Sequence, residues 1–399
     1  MTTPLAVSRF RVQNFKAIRD SGIVRFSPLT AFIGNNGVGK SSLVEGLETL
    51  KHIARDGLDE AMQRWRGFDF IRNKAVTRQL RYTKEGKAWQ TSPTFFGIAG
   101  TAWTGFGESR ASRPYRAYSQ ITMGEANNEV FFLREMLSQK RETGKRTVSR
   151  HTDGTVFDGV EDVEGHFIGL SPNESVFYAE PSLALWQFVR IQPENMIAPR
   201  PVRQVAGYLP LATDGSNIAE FLIDIRYRDA DAFDGIIEAM QTVLPYAVDI
   251  QPVVTSEIGR NAYIRLQEQN ITEPLPAWLL STGTLRVVAL LALLRHPEPP
   301  PLIVIEEIEN GLDPRTIHLL VEEMRYAVEN GTTQIILTTH SPYLLDLLTL
   351  SQIVVVERGE SGEPQFHRPS DEESLQKWSD QFTPGQLYTM GRLGKGNKY

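Results

Sequence analysis

Gly34-Asn35-Asn36-Gly37-Val38-Gly39-Lys40-Ser41 is the stretch of sequence that decides the fold class. It fits the pattern G-x-x-x-x-G-K-[ST], in which a glycine-rich loop is followed by a lysine and a hydroxyl residue. The apolar run 29–33 before it predicts a short strand, and leucines at helical spacing in 42–50 after it predict a helix. Strand, glycine loop and helix in this order predict the start of an α/β nucleotide-binding unit.

This loop is expected to bind phosphate. Its glycines let the backbone curl so that N–H groups face a β-phosphate, and the following helix directs its positive end at the same oxygens. Lys40 is placed to reach the β- and γ-phosphates, and the Ser41 hydroxyl is placed to ligate Mg²⁺. The predicted nucleotide-contacting residues of the loop are Gly34, Asn35, Asn36, Gly37, Val38, Gly39, Lys40, Ser41 and Ser42.

Composition limits the class of protein. With 399 residues, the chain predicts two or three domains, or one core with a large insertion. Its formal net charge of −6 argues against coating nucleic acid through overall charge but permits local basic patches. The absence of cysteine excludes disulfides, zinc ribbons and thiolate nucleophiles. No apolar run reaches about 18 residues and no secretory signal is visible, so we expect a cytoplasmic protein without a membrane partner.

The last third of the chain predicts a sheet of the same class. Apolar runs at 301–305, 334–338 and 353–356 predict strands, and 314–329 predicts a helix between two of them. Strands that alternate with helices indicate a mostly parallel sheet. The polar, acidic segment 360–373 predicts a loop.

The middle of the chain has a different composition. Residues 51–270 carry many aromatic residues, turn-forming residues and short alternating segments, which predict a β-rich arm followed by a mixed helical region. The expected domains are therefore 1–50 as the first part of a nucleotide-binding head, 51–270 as an insertion, and 271–399 as the second part of the head.

Carboxylates and a histidine follow the predicted strands of the last third. Glu306 and Glu307 come directly after 301–305, at the sheet edge where ligands bind in open α/β folds. Glu306 is expected to hold the water shell of Mg²⁺ and Glu307 to polarise an attacking water, unless the pair only begins an acidic surface helix. His340 follows 334–338, where its imidazole is expected to hydrogen-bond a γ-phosphate.

The motifs together resemble those of ABC-type ATPases of the SMC/RecF/OLD-like group, which includes prokaryotic AAA-type defence ATPases. The resemblance is strong over 7–50 and about 275–360, although Thr282 and Thr284 stand where the ABC signature commonly has Gly and Gln. It implies an α/β fold, with an ABC-type P-loop head, a mostly parallel sheet, a β-rich arm and an inserted mixed region. The matching motifs beside the phosphate loop are the opening run with an Asn-Phe-Lys turn (10–17), the signature (280–284), the carboxylate strand (302–307), the D-loop (310–314) and the H-loop (338–341).

The resemblance also implies a homodimer. In this group, the signature of one copy contacts the γ-phosphate held by the phosphate loop of a second copy. Ser281 and Gly283 of the signature and Asp313 of the D-loop are therefore implied to contact nucleotide. Two ATP molecules would lie between the copies of a head-to-tail dimer, and higher oligomers are compatible with this arrangement.

A Q-loop glutamine should complete the Mg²⁺ site with Ser41 and Glu306. Gln192 is the first candidate because a proline marks the end of its strand, and Gln120 is the alternative. The cofactors implied by the resemblance are ATP and Mg²⁺. The residues implied to be catalytic are Lys40, Glu307 and His340.

The resemblance leaves the target of the ATPase open. Relatives with a TOPRIM nuclease domain carry it after the head, whereas only 59 residues follow His340, so a separate nuclease-like effector is expected. The leading hypothesis is an ATP-hydrolysing, DNA-associated or sensor ATPase in anti-phage defence or DNA maintenance. The alternative is a weakly hydrolysing, ATP-dependent scaffold that regulates a partner toxin or nuclease, and a transporter subunit is disfavoured by the opening motif.

Two basic stretches, 64–87 and 134–150, are candidates for DNA contact. Aromatic residues are interleaved with cations in the first stretch, and cations outnumber carboxylates in both. Such patches bind phosphates, but a salt-bridged surface or a contact with a partner protein is an equally weighted interpretation.

Overall fold

The structure is a computed structural model that describes residues 5–77, 79–82, 88–104, 111–124, 129–141, 144–160, 163–202, 208–255, 259–330, 333–378 and 381–394. Its strands are β1 (Arg9–Phe15), β2 (Ile18–Asp20), β3 (Val24–Arg25), β4 (Leu29–Ile33), β5 (Leu80–Tyr82), β6 (Ala88–Gln90), β7 (Thr94–Thr104), β8 (Ala111–Met123), β9 (Val130–Arg141), β10 (Gly144–Arg150), β11 (Val156–Val160), β12 (Val163–Ile168), β13 (Gln187–Val189), β14 (Arg200–Pro201), β15 (Ala247–Val254), β16 (Asn261–Glu268), β17 (Leu275–Pro276), β18 (Leu302–Ile305), β19 (Gln334–Thr339), β20 (Ile353–Arg358) and β21 (Pro364–His367). Its α-helices are α1 (Lys40–Asp56), α2 (Leu58–Arg64), α3 (Phe68–Ile71), α4 (Ile218–Arg228), α5 (Ala230–Val243), α6 (Thr282–Leu294), α7 (Pro314–Glu329), α8 (Pro342–Asp346), α9 (Glu373–Trp378) and α10 (Pro384–Thr389).

The chain divides into two compact units. Unit 1 contains Met1–Trp186 and Leu350–Tyr399, and unit 2 contains Gln187–Thr349. Unit 1 is therefore discontinuous in sequence. The expected domains, with boundaries at residues 50 and 270, were drawn from motifs and composition. They stay a prediction.

Unit 1 contains the strand that precedes the phosphate loop. All five residues of β4 are buried, as expected for an apolar strand covered on both faces. β4 pairs in parallel with β20, and β20 pairs in antiparallel with β21. The prediction of a loop over 360–373 was wrong for the part that forms β21. This strand has only four residues and begins with a proline, so its sequence carries too short a pattern to identify it.

The β-rich arm of unit 1 is a long antiparallel sheet. Its strands lie in the order β12, β11, β10, β9, β8, β7, β1 and β2, and β3 also pairs with β1. One face of this sheet is apolar and buried, and α1 packs against it where Phe10 approaches Gly46. The buried residues of this face include Phe10, Val12, Phe96, Ile98, Leu137 and Val148.

A buried ion pair ties the arm to the segment that follows it. Glu135 and Arg150 are almost fully buried, and the Arg150 guanidinium donates to Glu135 at 3.2 Å. Glu135 also accepts a hydrogen bond from the Ser175 hydroxyl at 2.6 Å, and Arg150 donates to the carbonyl oxygen of Glu174 at 2.5 Å. Besides pairing with each other, these two side chains therefore form hydrogen bonds with buried polar groups of residues 171–176.

Glu135→Ala is expected to lower the free energy of unfolding by about 3–5 kcal/mol, because it leaves the Arg150 guanidinium buried without its carboxylate. Denaturant unfolding monitored by circular dichroism measures the change. Glu360→Ala, at an exposed turn, is the matched control and should stay within about 0.5 kcal/mol of the natural chain. Equal stability of the two variants would contradict the structural role of the pair.

Unit 2 is built around a short parallel sheet. β13, β18 and β19 pair in parallel, and every residue of β18 and β19 is buried. α6 is apolar and buried from Thr284 to its end, and it packs with α5 and α7. An antiparallel sheet of β14, β16 and β15, with β17 on β16, packs with α4 and α5. The predicted helix 314–329 agrees with α7 at both ends.

Candidate functional site

The phosphate loop of unit 1 has the backbone shape that its glycines predict. Gly37 and Gly39 have φ values of 75° and 111°, in the left-handed region that favours glycine. A Cβ on Gly39 would lie 2.5 Å from Pro364 Cγ, and a Cβ on Gly34 would overlap the carbonyl of Val356. The loop is therefore held against β20 and β21 at two points that admit no side chain.

Lys40 and the start of α1 form the cationic side of this loop. Lys40 is buried, and its Nζ donates to the carbonyl oxygens of Gly34 at 2.7 Å and Asn35 at 3.1 Å. Gly39 caps α1 without a side chain, and the first turn of this 17-residue helix has no acidic residue. A helix start of this kind attracts anions. Ser41, Asn35 and the neighbouring Asn36 are exposed beside it, so the phosphates of a nucleoside triphosphate could reach the loop.

Residues from the C-terminal segment of unit 1 support the loop. The Arg358 guanidinium donates to the carbonyl oxygens of Gly37 and Gly362, each at 2.7 Å. The Tyr388 hydroxyl donates to Asn35 Oδ1 at 3.4 Å, and burial raises the pKa of this tyrosine. Neither side chain was identified from the sequence, since both contacts join residues more than 300 positions apart.

Unit 2 brings predicted site residues from three strands to one sheet edge. β13, β18 and β19 run in the same direction, so their carboxyl ends lie together. Gln192 follows β13, Glu307 follows β18 and His340 follows β19. Gln120 lies instead in β8 of unit 1, paired with Phe95 and Arg134 within the arm. The position of Gln192 favours it as the Q-loop glutamine, and the assignment stays a prediction.

The two carboxylates after β18 have different surroundings. Glu306 accepts a 2.5 Å hydrogen bond from Arg190 Nε and is partly buried. Glu307 is exposed and has a φ of 50°, which is unusual for a residue with a side chain. Its amide donates to Thr338 Oγ1 at 3.1 Å, and its carboxylate accepts from Asn310 Nδ2 at 2.6 Å. Glu307 is thus held in a strained conformation with its carboxylate at the surface.

A third carboxylate, Glu309, connects this segment to the histidine. Glu309 Oε1 accepts a hydrogen bond of 2.5 Å from the backbone amide of His340. The contact fixes the chain at the end of β19, where His340 is half-buried. The sequence signal for this residue was a third acidic residue, three positions after Glu306.

The signature and the D-loop lie against each other in unit 2. Ser281 is exposed and caps α6, and its Oγ accepts from the Thr284 amide at 3.0 Å. A Cβ on Gly283 would lie 2.8 Å from the carbonyl oxygen of Gly311, so this close approach requires glycine. Asp313 caps α7, and hydrogen bonds from Thr316 lower the pKa of its carboxyl.

Arg286 connects the signature helix to the strand ends, and the sequence analysis missed it. It is the only charged residue of α6 and is buried. Its guanidinium donates to the carbonyl oxygens of Ile191 at 2.9 Å and Glu307 at 3.4 Å. Burial lowers the pKa of this arginine. A lone arginine in an apolar helix was the signal that could have identified it.

Some cations of the two basic stretches form ion pairs within the fold. Arg146 pairs with Asp158 at 2.5 Å, Arg150 pairs with Glu135, and Arg64 pairs with Asp56 at 3.4 Å. Arg134, Lys140 and Lys145 are exposed. The stretches also include residues that lie outside the described part of the chain: Arg78, Lys84, Glu85 and Lys87 of 64–87, and Glu142 of 134–150.

Two further features are absent from the described ranges of the chain. No helix there is long and apolar enough to cross a membrane. No three histidine, aspartate or glutamate side chains of that part of the chain form a group able to hold a metal ion.

Comparison with known proteins places these motifs in a family. The family model described as "AAA domain, putative AbiEii toxin, Type IV TA system" matches residues 29–346. The sequence matches no protein of curated function.

Solved structures show the fold. An Smc head bound to the C-terminal winged-helix domain of ScpA has a TM-score of 0.52 at 13% identity, covering 90% of this chain and 97% of that chain. An Smc head with an extended coiled coil, bound to the C-terminal domain of ScpA from Pyrococcus furiosus, has a TM-score of 0.51 at 11% identity, with 94% and 99% covered. The predicted α/β fold of an ABC-type P-loop head is confirmed.

Proposed function

The chain belongs to the AbiEii-type AAA domain family, and on that premise we propose that it hydrolyses ATP to ADP and phosphate as an ABC-type ATPase. The observation that carries this proposal is the phosphate loop, with its left-handed glycines, buried Lys40 and a helix start without a side-chain cap. Steady-state ATP turnover by the purified protein tests it, measured with and without duplex DNA at two salt concentrations. Salt-sensitive stimulation by DNA would identify nucleic acid as a regulator, and turnover indifferent to DNA would favour a protein partner.

We propose a role for each of the predicted site residues. The amides of the loop and Lys40 bind the β- and γ-phosphates and neutralise charge that develops during transfer. Glu307 orients the attacking water and accepts its proton, and His340 hydrogen-bonds the γ-phosphate. Mg²⁺, when bound, supplies charge neutralisation between the phosphates, and Ser41, Glu306 and Gln192 are its proposed ligands or water-shell partners.

We further propose that two copies enclose two ATP molecules in a head-to-tail dimer. Ser281 and the first turn of α6 support this, because an exposed serine at the start of a 13-residue helix is a good anion site. Gly283 and Asp313 would contact the same nucleotide from the second copy. The dimer would form with ATP and loosen after hydrolysis, which makes the ATPase a two-state switch.

Ser281→Arg is expected to leave ATP binding by the monomer unchanged and to abolish ATP-dependent dimerisation, because the longer cation occupies the space of the second copy's phosphate. Equilibrium binding of a fluorescent ATP analogue and sedimentation with ATP measure the two properties. Ser361→Arg, on an exposed turn of unit 1, is the matched control and should dimerise normally. Normal ATP-dependent dimerisation of Ser281→Arg would contradict the cross-subunit arrangement.

The proposed biological role is to regulate a separate effector in anti-phage defence or DNA maintenance. The family description names a toxin of a type IV toxin–antitoxin system, and the similar Smc heads are bound to domains of ScpA. Both support a head that works with another protein, and a nuclease-like effector is the partner we expect. Purification of the chain with the products of its neighbouring genes tests this part of the proposal.

A second candidate function is a scaffold that binds ATP and turns it over slowly. One observation favours it: the Glu306 carboxylate, which we assign to the Mg²⁺ side, is engaged by Arg190 at 2.5 Å. Equal turnover by the natural chain and by Glu307→Gln would favour the scaffold over the active ATPase.

A further inference from the structure

One face of the antiparallel sheet in unit 1 remains open to solvent, and we propose that this open face binds single-stranded nucleic acid. Basic side chains would contact the phosphates, and aromatic rings would stack on the bases. The proposal deepens the regulation proposed above, but binding at this face requires neither ATP nor a second copy of the chain.

The strand register defines the open face. Directly paired residues lie on the same face of a sheet, and so do alternate residues along one strand. One row across the sheet therefore consists of residues on the same side of β1, β7, β8, β9 and β10. The members of this row are Arg9, Ala99, Arg116, Ser138 and Thr147. Their neighbours along the strands point to the opposite face and form the buried core of the arm.

Four of the exposed cations on the open face lie close to one groove. Arg9 and Arg116 belong to the row just described, and Lys140 pairs with Lys145 in the next row. They line a groove of about 860 Å³ that also includes Gly100 and Gly144. None of the four forms an ion pair with another described residue. With strands about 4.8 Å apart, the cations spread over roughly 20 Å from β1 to β10, which suits a chain of phosphates better than one small anion.

Aromatic rings form a second row on the same face. Tyr118 lies two residues from Arg116 on β8 and stacks on Phe95, with ring centroids 6.1 Å apart and planes inclined by 23°. Phe157 lies across Gly159 and Gly165, where any Cβ would overlap its ring. Phe167 pairs with Phe157 and is 72% exposed. The glycines thus let aromatic rings lie across the sheet at its surface.

The spacing of the two rows favours a single strand over a duplex. Residues two apart on a strand are separated by about 6.8 Å, so the aromatic row runs beside the cationic row at that distance. Sheets that bind single strands use this combination, with bases stacked on aromatic side chains and phosphates on cations. A duplex presents phosphates but hides the faces of its bases, and it would leave the aromatic row unused. Asp20, a carboxylate of β2 on the same face of the sheet, pairs with Arg11 at 2.6 Å.

Fluorescence anisotropy with the full chain, in the absence of nucleotide, tests the proposal. The probes are labelled 20-nucleotide oligo-dT and oligo-U and a labelled DNA duplex of equal length. We expect both single strands to bind more tightly than the duplex. A preference between them would support the proposal and identify DNA or RNA as the natural ligand, because only RNA offers the 2′-hydroxyl.

Two sets of variants separate the phosphate and base contacts. The double variant Arg116→Ala/Lys145→Ala should reduce the slope of log affinity against log salt by about 1.4, since each phosphate contact contributes about 0.7. Lys377→Ala, in α9, is its control and should leave the slope unchanged. Phe167→Ala should weaken binding about tenfold without changing the slope. Tyr227→Ala, at an exposed tyrosine of unit 2, is its control.

Three outcomes would overturn the proposal: no binding of single strands at low salt, equal binding of the duplex with no effect of Phe167→Ala, or unchanged binding by the double variant. Thermal unfolding of each variant separates loss of binding from loss of fold. ATP turnover is measured in a separate assay. An inactive ATPase that binds single strands would overturn the proposed hydrolysis and leave the open face as a binding site.

Discussion

Glu307→Gln is expected to bind ATP as tightly as the natural chain and to hydrolyse it at least a hundredfold more slowly. The substitution keeps the size and the hydrogen bond to Asn310 but removes the ability to accept a proton from water. Loss of a general base costs about 10²–10⁴ in rate. Because the proposed dimer is released by hydrolysis, the variant should also remain dimeric for as long as ATP is present. Single-turnover hydrolysis and sedimentation with ATP measure the two effects.

Two controls make this experiment decisive. Glu360→Gln changes an exposed glutamate on a surface turn of unit 1 and should hydrolyse ATP at the natural rate. Thermal unfolding of Glu307→Gln checks that the strained backbone at φ 50° is preserved. A rate within twofold of the natural chain would remove Glu307 from the mechanism and favour the scaffold function.

Lys40→Ala is expected to weaken ATP binding by roughly tenfold to a hundredfold. Loss of ATP-dependent dimerisation should follow. The Lys40 ammonium is the buried cation of the phosphate loop, and hydrogen bonds to charged groups contribute about 1.5–3 kcal/mol each. Isothermal titration with ATP measures the affinity. Because Lys40 also donates to the carbonyl oxygens of Gly34 and Asn35, part of the effect comes from the shape of the loop.

Lys40→Arg separates charge from shape. Arginine keeps the positive charge but cannot reproduce the compact ammonium, so we expect an intermediate affinity. Lys377→Ala is the control for loss of a lysine elsewhere in unit 1. Unchanged ATP affinity of a folded Lys40→Ala variant would mean that this loop is not the nucleotide site.

The parts of the fold that local sequence patterns specify could be predicted. The apolar run 29–33 is β4 to the residue, and the helix expected at 314–329 is α7. The loop between strand and helix has the glycine conformations that its motif requires. These features depend on residues within about ten positions of one another, where periodicity and turn chemistry are informative.

The parts that depend on distant pairing could not be predicted. Arg190 donates a hydrogen bond to Glu306, 116 positions away, and the local sequence around either residue does not predict this contact. Arg146 and Arg150 look like members of a basic patch in sequence, but the register of β9, β10 and β11 places them beside Asp158 and Glu135. The same register brings Arg9 and Arg116 onto one face with Lys140 and Lys145. Register is a property of the assembled sheet, so a list of charges along the chain cannot supply it.

Because unit 1 is discontinuous in sequence, its phosphate loop is synthesised long before the C-terminal segment that supports it. The guanidinium of Arg358 that fixes the carbonyl of Gly37 is made 321 residues later, and Pro364 follows it. At about 5–20 residues per second, roughly 15 to 60 s separate the emergence of the two segments from the ribosome. A nascent chain therefore carries an unfinished nucleotide loop throughout most of its translation. The loop gains its contacts with Arg358 and Pro364 only after this last segment has been made, so we expect ATP binding to begin at that point.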